Sequence, residues 1–198
     1  PDSLELVQQE LLLQLALSMA LLTTKGYAAS EVGQAGTRAR ELCQQLGETP
    51  QLFPVLFRLW VFYFNRWEVQ TALELAEQLM RLAQRVQDRY LLSLAHYVLG
   101  ATLYQFGELV SARTHLEQAI ALYDPQKHLR SILGTADLRV NYLSYASYTL
   151  WHLGYPDQGL KKSQEAVALA AGLSHPFSLT FALVFAAEVH LFRGEGQA

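Results

Sequence analysis

The feature that most constrains this chain is the regular recurrence of helix breakers between stretches of helical rather than alternating apolar spacing. Gly26, Gly47 with Pro50, Gly107, Pro125 with Gly134, Gly154 with Pro156, Gly172 with Pro176, and Gly194 punctuate the 198 residues. The segments between them run to roughly 15–20 residues, the ordinary length of a globular helix. No Asn-Gly, Asp-Gly or Gly-Gly pair occurs, so the strongest hairpin-turn signals of a β protein are missing. Ala, Leu, Gln and Glu dominate the segments, and all four favour helix. An all-α chain follows. Two helix starts carry local signals: Asp2 with Glu5 forms a capping-box-like entrance, and Thr49 followed by Pro50 places a cap before a ring pre-set for the first helical position.

Composition excludes several classes. At 51% hydrophobic, 11% aromatic and 17% charged residues, the chain is too apolar and too charge-poor to be disordered. A formal net charge of −3, with Lys161-Lys162 and with Arg38 and Arg40 interleaved among Glu and Gln, argues against a nucleic-acid platform, which needs a basic stripe. The lone Cys43 excludes a disulfide framework or a cysteine zinc site and fits a reducing, cytoplasmic setting. The most apolar run, Leu11–Leu22, is flanked by Gln8, Gln9, Glu10, Thr23, Thr24 and Lys25. It is short of the about 20 apolar residues a membrane span needs and lacks a basic lead, so a buried helix and no membrane partner are expected.

The helices pair. Tyr90–Phe106, Gly107 and Glu108–Tyr123 place Leu99-Gly100 and Leu103 on one helix and Ala112, Leu116, Ala119 and Ile120 on the next. Gly100, Ala112 and Ala119 stand where two antiparallel helices must approach closely. This arrangement resembles a tetratricopeptide repeat. Weaker copies follow in phase: Ser147, Gly154, Gly159 and Ala166 in 138–171; Leu59, Tyr63 and Ala72 in 53–86, where Trp60 departs from the expected small residue; and Leu17-Ser18, Leu21, Ala35 and Ala39 before it. The second-helix small residues Ala35, Ala72, Ala112 and Gly159 are spaced 37, 40 and 47, longer than a strict repeat, with a loop insertion over 124–136.

The reading is therefore a single domain over 1–198, an all-α, tetratricopeptide-like α-α superhelix of about four to five helical hairpins, with concave and convex sides. Hairpins are expected over 3–46, 50–86, 89–123 and 138–171, with an unpaired helix over 176–193. The apolar first helix and the absence of polar end caps suggest a fragment of a longer protein, and a homodimer formed through exposed terminal helices.

Catalytic signatures are lacking: no phosphate loop, G-x-G-x-x-G, H-E-x-x-H or G-x-S-x-G motif occurs. His96 or His115 could be set against Glu117 as an acid–base or metal pair, but a helix-face histidine is more often simply hydrogen-bonded or solvated. Ser147 and Ser163 fill slots that the repeat needs small, and Cys43 beside Leu42 and Leu46 reads as a buried, inert thiol. A non-enzyme without cofactor or metal is expected. The first helix of each pair would line the concave face with Phe57, Val61 and Phe64; Leu94, Tyr97, Ala101 and Tyr104; Asn141, Ser144, Tyr148 and Trp151; and Phe181, Val184 and Glu188. Asn65, Arg66, Gln105 and His152 would lie just beyond. Aromatic residues supply contact area at low entropic cost, so Phe57, Phe64, Tyr97, Tyr104, Asn141, Tyr148, Trp151, Phe181 and Glu188 are the candidate contacts for a peptide or protein partner. The alternatives are rings that pack on one another, or a small-molecule effector held among them.

Longer stretches resemble a particular family: TKGYAASEVGQAGTRARELCQQLG from Thr24, PQLFPVLFRLWVFYF from Pro50, QTALELAEQLMRLA from Gln70, ARTHLEQAIALYDP from Ala112 and LSHPFSLTF from Leu173. They are similar to the C-terminal tetratricopeptide-like region of large bacterial predicted ATPases, often fused to class III adenylate/guanylate cyclase or serine/threonine kinase domains. The resemblance implies a regulatory, signal-transducing scaffold arm whose partners include upstream domains of a parent protein. None of that family's catalytic motifs falls in these residues.

Overall fold

The structure, a computed structural model, describes residues 3–47, 49–125 and 137–194. Asp2, most of the 124–136 insertion and the tail after Gly194 lie outside the described residues, so the Asp2 cap does too. Among the described residues there are nine helices and no strand: α1 (Ser3–Lys25), α2 (Ser30–Leu46), α3 (Leu52–Asn65), α4 (Val69–Val86), α5 (Arg89–Phe106), α6 (Leu109–Leu122), α7 (Leu138–His152), α8 (Pro156–Gly172) and α9 (Pro176–Phe192). Contacts within the chain group into two compact units, Pro1–Arg85 and Val86–Ala198.

In the N-terminal unit α1 packs on α2, and α2 on α3. The α2–α3 contact is close because α2 contributes two glycines. A Cβ at Gly33 would stand 2.6 Å from the Phe62 ring, and one at Gly36 would stand 2.8 Å from Leu59 Cδ2. That space on α2 accommodates Phe62 and Leu59 of α3; Trp60 is buried although the repeat pattern calls for a small residue there. Two sequence expectations are corrected in this unit. The helix after Pro50 begins at Leu52; Pro50 lies in a turn closed by Leu52 N–H donating to the Thr49 carbonyl at 3.1 Å. Thr49 Oγ1 accepts from Gln51 N–H at 3.3 Å, inside that turn. Secondly, α1 is not a buried helix. Only Leu11, Ser18 and Leu22 are buried, while Leu13 is 69% exposed. The helix is apolar nearly all round, and the neighbours it packs on cover only one stripe of it. By length and composition alone it could cross a membrane.

In the C-terminal unit α5 pairs with α6 and α7 with α8, while α9 packs on both α7 and α8. Close approach again explains the small residues. A Cβ at Gly100 would lie 2.8 Å from Leu116 Cγ and 3.2 Å from the Ala112 carbonyl oxygen, and one at Gly159 would lie 2.8 Å from the Ser147 carbonyl oxygen. Val140, Leu143, Ala166, Ala170 and Ala182 form the core between α7, α8 and α9. Cys43, back in α2, is buried as expected.

Candidate interaction face

Three capped helices set the face. Asp88 caps α5, its carboxylate accepting from Tyr90 N–H at 2.8 Å and Leu91 N–H at 3.0 Å. Asp137 caps α7 through Arg139 and Val140 N–H, at 2.9 and 3.2 Å. Asp137 also ties the unit together: its own N–H donates to Ser178 Oγ on α9 at 2.8 Å, and its second oxygen accepts from the Tyr123 hydroxyl at the end of α6 at 3.2 Å. His175 caps α9, accepting from Ser178 N–H at 3.3 Å. Residues three, four and seven apart then share one face of each helix.

On that face the rings form a ladder across α5, α7 and α9. Tyr97 lies 5.0 Å from Tyr142 and 5.8 Å from Tyr145 between ring centroids; Tyr145 meets Phe185 at 5.0 Å, and Phe185 meets Tyr148 at 4.3 Å and Phe181 at 4.7 Å. These are the offset and edge-on separations that aromatic pairs favour. At one margin Tyr104 sits 5.6 Å from the His152 ring, with its hydroxyl 3.5 Å from His152 Nδ1. Phe192 stacks on Trp151 at 5.9 Å and closes that margin. The Tyr148 hydroxyl donates to Glu188 Oε2. Burial, reinforced by that carboxylate, holds the Tyr148 hydroxyl far above the usual tyrosine range, and burial followed by the Glu188 charge raises Tyr104 as well.

The candidate residues thus fall into two groups. In the C-terminal unit Tyr97, Asn141 and Tyr148 are buried among their neighbours, Tyr104, Trp151 and Phe181 are half-buried, and Glu188 is exposed. In the N-terminal unit Phe57 and Phe64 are each 6% exposed and pack against Trp60 at 5.5 and 4.8 Å. Much of the expected lining is therefore ring against ring, and a small molecule seated among Tyr97, Tyr145, Tyr148 and Phe185 would first have to part them. Polar atoms remain inside the face: Asn141 Oδ1 and Ser144 Oγ, one turn apart on α7, are buried without a hydrogen-bond partner. Sequence reasoning missed Tyr145, Phe185 and Phe192. The signal was present, since Tyr145 and Phe185 each stand nine residues before a turn glycine, Gly154 and Gly194.

Other polar groups are engaged elsewhere. His96 does not meet Glu117; its Nδ1 lies 3.0 Å from His115 Nδ1, while Glu117 pairs with Arg113 at 2.7 Å. Among the described residues no group of three or more His, Cys, Asp or Glu is placed to hold a metal ion. A cleft of about 560 Å³ in the N-terminal unit is bordered by Arg38, Glu41, Arg66 and Glu68, whose charges are already taken up in the Arg38–Glu10, Arg38–Glu41 and Arg66–Glu68 pairs.

Known structures share this arrangement of helical hairpins. The apo form of RapI superposes with a TM-score of 0.69 at 15% identity, covering 100% of this chain and 50% of its own. Thus the chain spans half the length of RapI. The fold is tetratricopeptide-like. A putative kinesin light chain from Podosopora anserina, described as nearly identical TPR-like repeats, matches with a TM-score of 0.66 at 15% identity over 100% of this chain and 91% of its own. A single-substitution variant of that protein matches at 0.65 and 16%, over 93% of this chain and 86% of its own. At such identities the likeness concerns fold alone. No family model matches the sequence, and no curated protein does.

Proposed function

We infer that this chain is a non-catalytic interaction module that binds a polypeptide along the α5–α7–α9 face of its C-terminal unit. The observation that carries this reading is the margin of the ring ladder. Half-buried Tyr104 and Trp151 and exposed His152, Glu188 and Phe192 offer flat apolar area beside a carboxylate and an imidazole, while the buried interior of the ladder holds those side chains in place. Rigid aromatic anchors flanked by directional polar groups are what peptide recognition uses. The resemblance to the repeat region of large bacterial ATPases and cyclase or kinase fusions extends the reading: a cytoplasmic, regulatory scaffold arm that passes partner binding to upstream domains of a parent protein.

Selection of a displayed peptide library on the purified chain tests the face. Enriched peptides should lose at least tenfold in affinity on Tyr104→Ala and on Trp151→Ala, and keep it on Glu117→Ala, which lies on α6. Peptides indifferent to both aromatic substitutions would remove the face from consideration.

A further inference from the structure

The close crossing of α5 and α6 decides what else those two helices bring together. A Cβ at Gly100 would stand 2.8 Å from Leu116 Cγ and 3.2 Å from the Ala112 carbonyl oxygen. His96 lies one turn before Gly100 on α5, and His115 lies between Ala112 and Leu116 on α6. Each histidine is therefore carried to the same crossing from a different helix. Their Nδ1 atoms are 3.0 Å apart and their ring centroids 5.1 Å, and both residues are half-buried.

Two chemistries fit that separation. In one, a single proton lies between the rings, carried by one Nδ1 and accepted by the other. In the other, both nitrogens bind one metal ion: at about 2.1 Å from the ion, two imidazole nitrogens stand about 3.0 Å apart at a right angle and about 3.4 Å apart at the tetrahedral angle. The exchange between the two balances without loss of a proton, because the proton on Nδ1 moves to Nε2 of its own ring and leaves both Nδ1 lone pairs for the ion. Burial lowers both imidazoles, which keeps them in the neutral form that binds metal.

We propose that His96 and His115 form a binding site for a single divalent cation of the imidazole-preferring class, Zn²⁺, Ni²⁺ or Cu²⁺, bridging α5 and α6. Glu117 is held by Arg113 at 2.7 Å, and among the described residues no third His, Cys, Asp or Glu joins the pair. A donor set of nitrogens without carboxylate does not suit Mg²⁺ or Ca²⁺, which take oxygen ligands. Water fills the other coordination positions, so the ion binds more weakly than in a four-ligand structural site and exchanges with solvent. Since the two nitrogens already stand at ligand separation, little ordering is spent in bringing them together. The ion acts as a reversible clip on the α5–α6 hairpin, whose stability rises with metal concentration. This site is separate from the α5–α7–α9 aromatic face, and either can fail without the other.

The test titrates the full 198-residue chain, freed of metal with EDTA and then of EDTA, with ZnCl₂ at neutral pH by isothermal calorimetry, with MgCl₂ as the control. One saturable site per chain is expected with zinc and none with magnesium. His96→Gln and His115→Gln should each weaken zinc binding by roughly tenfold or more, with circular dichroism unchanged, while His190→Gln on α9 should leave it as it is. The unsubstituted chain gives an independent readout: in long-range ¹H–¹⁵N spectra of the imidazoles, zinc should move two of the six histidines to the Nε2–H, Nδ1-bound form and leave the rest in place. Absence of saturable zinc binding, binding that survives either glutamine substitution, or spectra in which fewer than two histidines respond overturns the proposal.

Discussion

Arg58 is the residue least at ease in this molecule. It interrupts the otherwise apolar α3, is 6% exposed, lies 3.7 Å from Met19 Sδ, and leaves its Nε without a partner. Burial pushes the guanidinium below its ordinary range, as expected of a charge taken out of water with no counter-charge beside it. Arg58→Met should therefore stabilise the chain, by about 1–3 kcal/mol, seen as a higher urea midpoint at unchanged m-value; a lower midpoint would mean that the guanidinium is satisfied in the folded state. The His96–His115 pair supplies a pH response of known sign. Burial lowers both imidazoles, and His115 lowers His96 further. Below the ordinary value of 6.5 the unfolded chain takes up protons that the folded pair refuses, so the pair's contribution is intact above that value and is lost as pH falls beneath it. The melting temperature should drop between about pH 7.5 and 5, and less steeply in His96→Leu. The pairing itself was not legible in the sequence, because which histidines meet depends on how α5 and α6 are rotated against each other.

Between helices, the identity of the opposing atom decides what a substitution costs. A methyl group at Gly159 meets backbone, the Ser147 oxygen at 2.8 Å and Trp151 N at 3.3 Å, whereas at Gly100 its nearest neighbour is a side chain, Leu116 Cγ at 2.8 Å, with the Ala112 carbonyl oxygen at 3.2 Å. Gly159→Ala should cost about 3 kcal/mol and Gly100→Ala about 1 kcal/mol, the latter softened by alanine's better helix propensity, as chemical denaturation would show. Gly107→Ala isolates a different contribution, since a Cβ there meets nothing within 4 Å and the loss of about 1 kcal/mol comes from the backbone at φ +87° alone. These small residues and turn glycines are why the hairpins could be read from the sequence: each marks a geometric demand that few residues meet. Where the demand is met unusually, reading was harder. Trp67 holds the left-handed position after α3 that glycine fills after α5 and α7, and Trp60 is buried where the repeat pattern calls for a small residue. The ring ladder was half legible. Spacing found Tyr97, Tyr104, Tyr148 and Trp151, but Tyr145 and Phe185 stand in a register, nine residues before a turn glycine, that α5 fills with Val98 and so does not mark as aromatic.

At the scale of the molecule, stability should grade along the chain. No residue from 3 to 10 is buried, while α7 buries 11 of its 15 residues. Hydrogen exchange followed by mass spectrometry should find the first turns of α1 about 100-fold or more less protected than the middle of α7; equal protection would mean that the exposed leucines of α1 are covered in solution. The sequence led to a buried first helix because apolar composition reports a need for cover and says nothing of whether neighbours suffice to provide it. The most extensive helix pairs, α1 with α2, α5 with α6 and α7 with α8, join segments consecutive along the chain. Such pairs close only short loops, and chains rich in local contacts reach their native state in microseconds to milliseconds. During synthesis each hairpin can form as soon as its second helix leaves the ribosome, without waiting for any later part of the sequence.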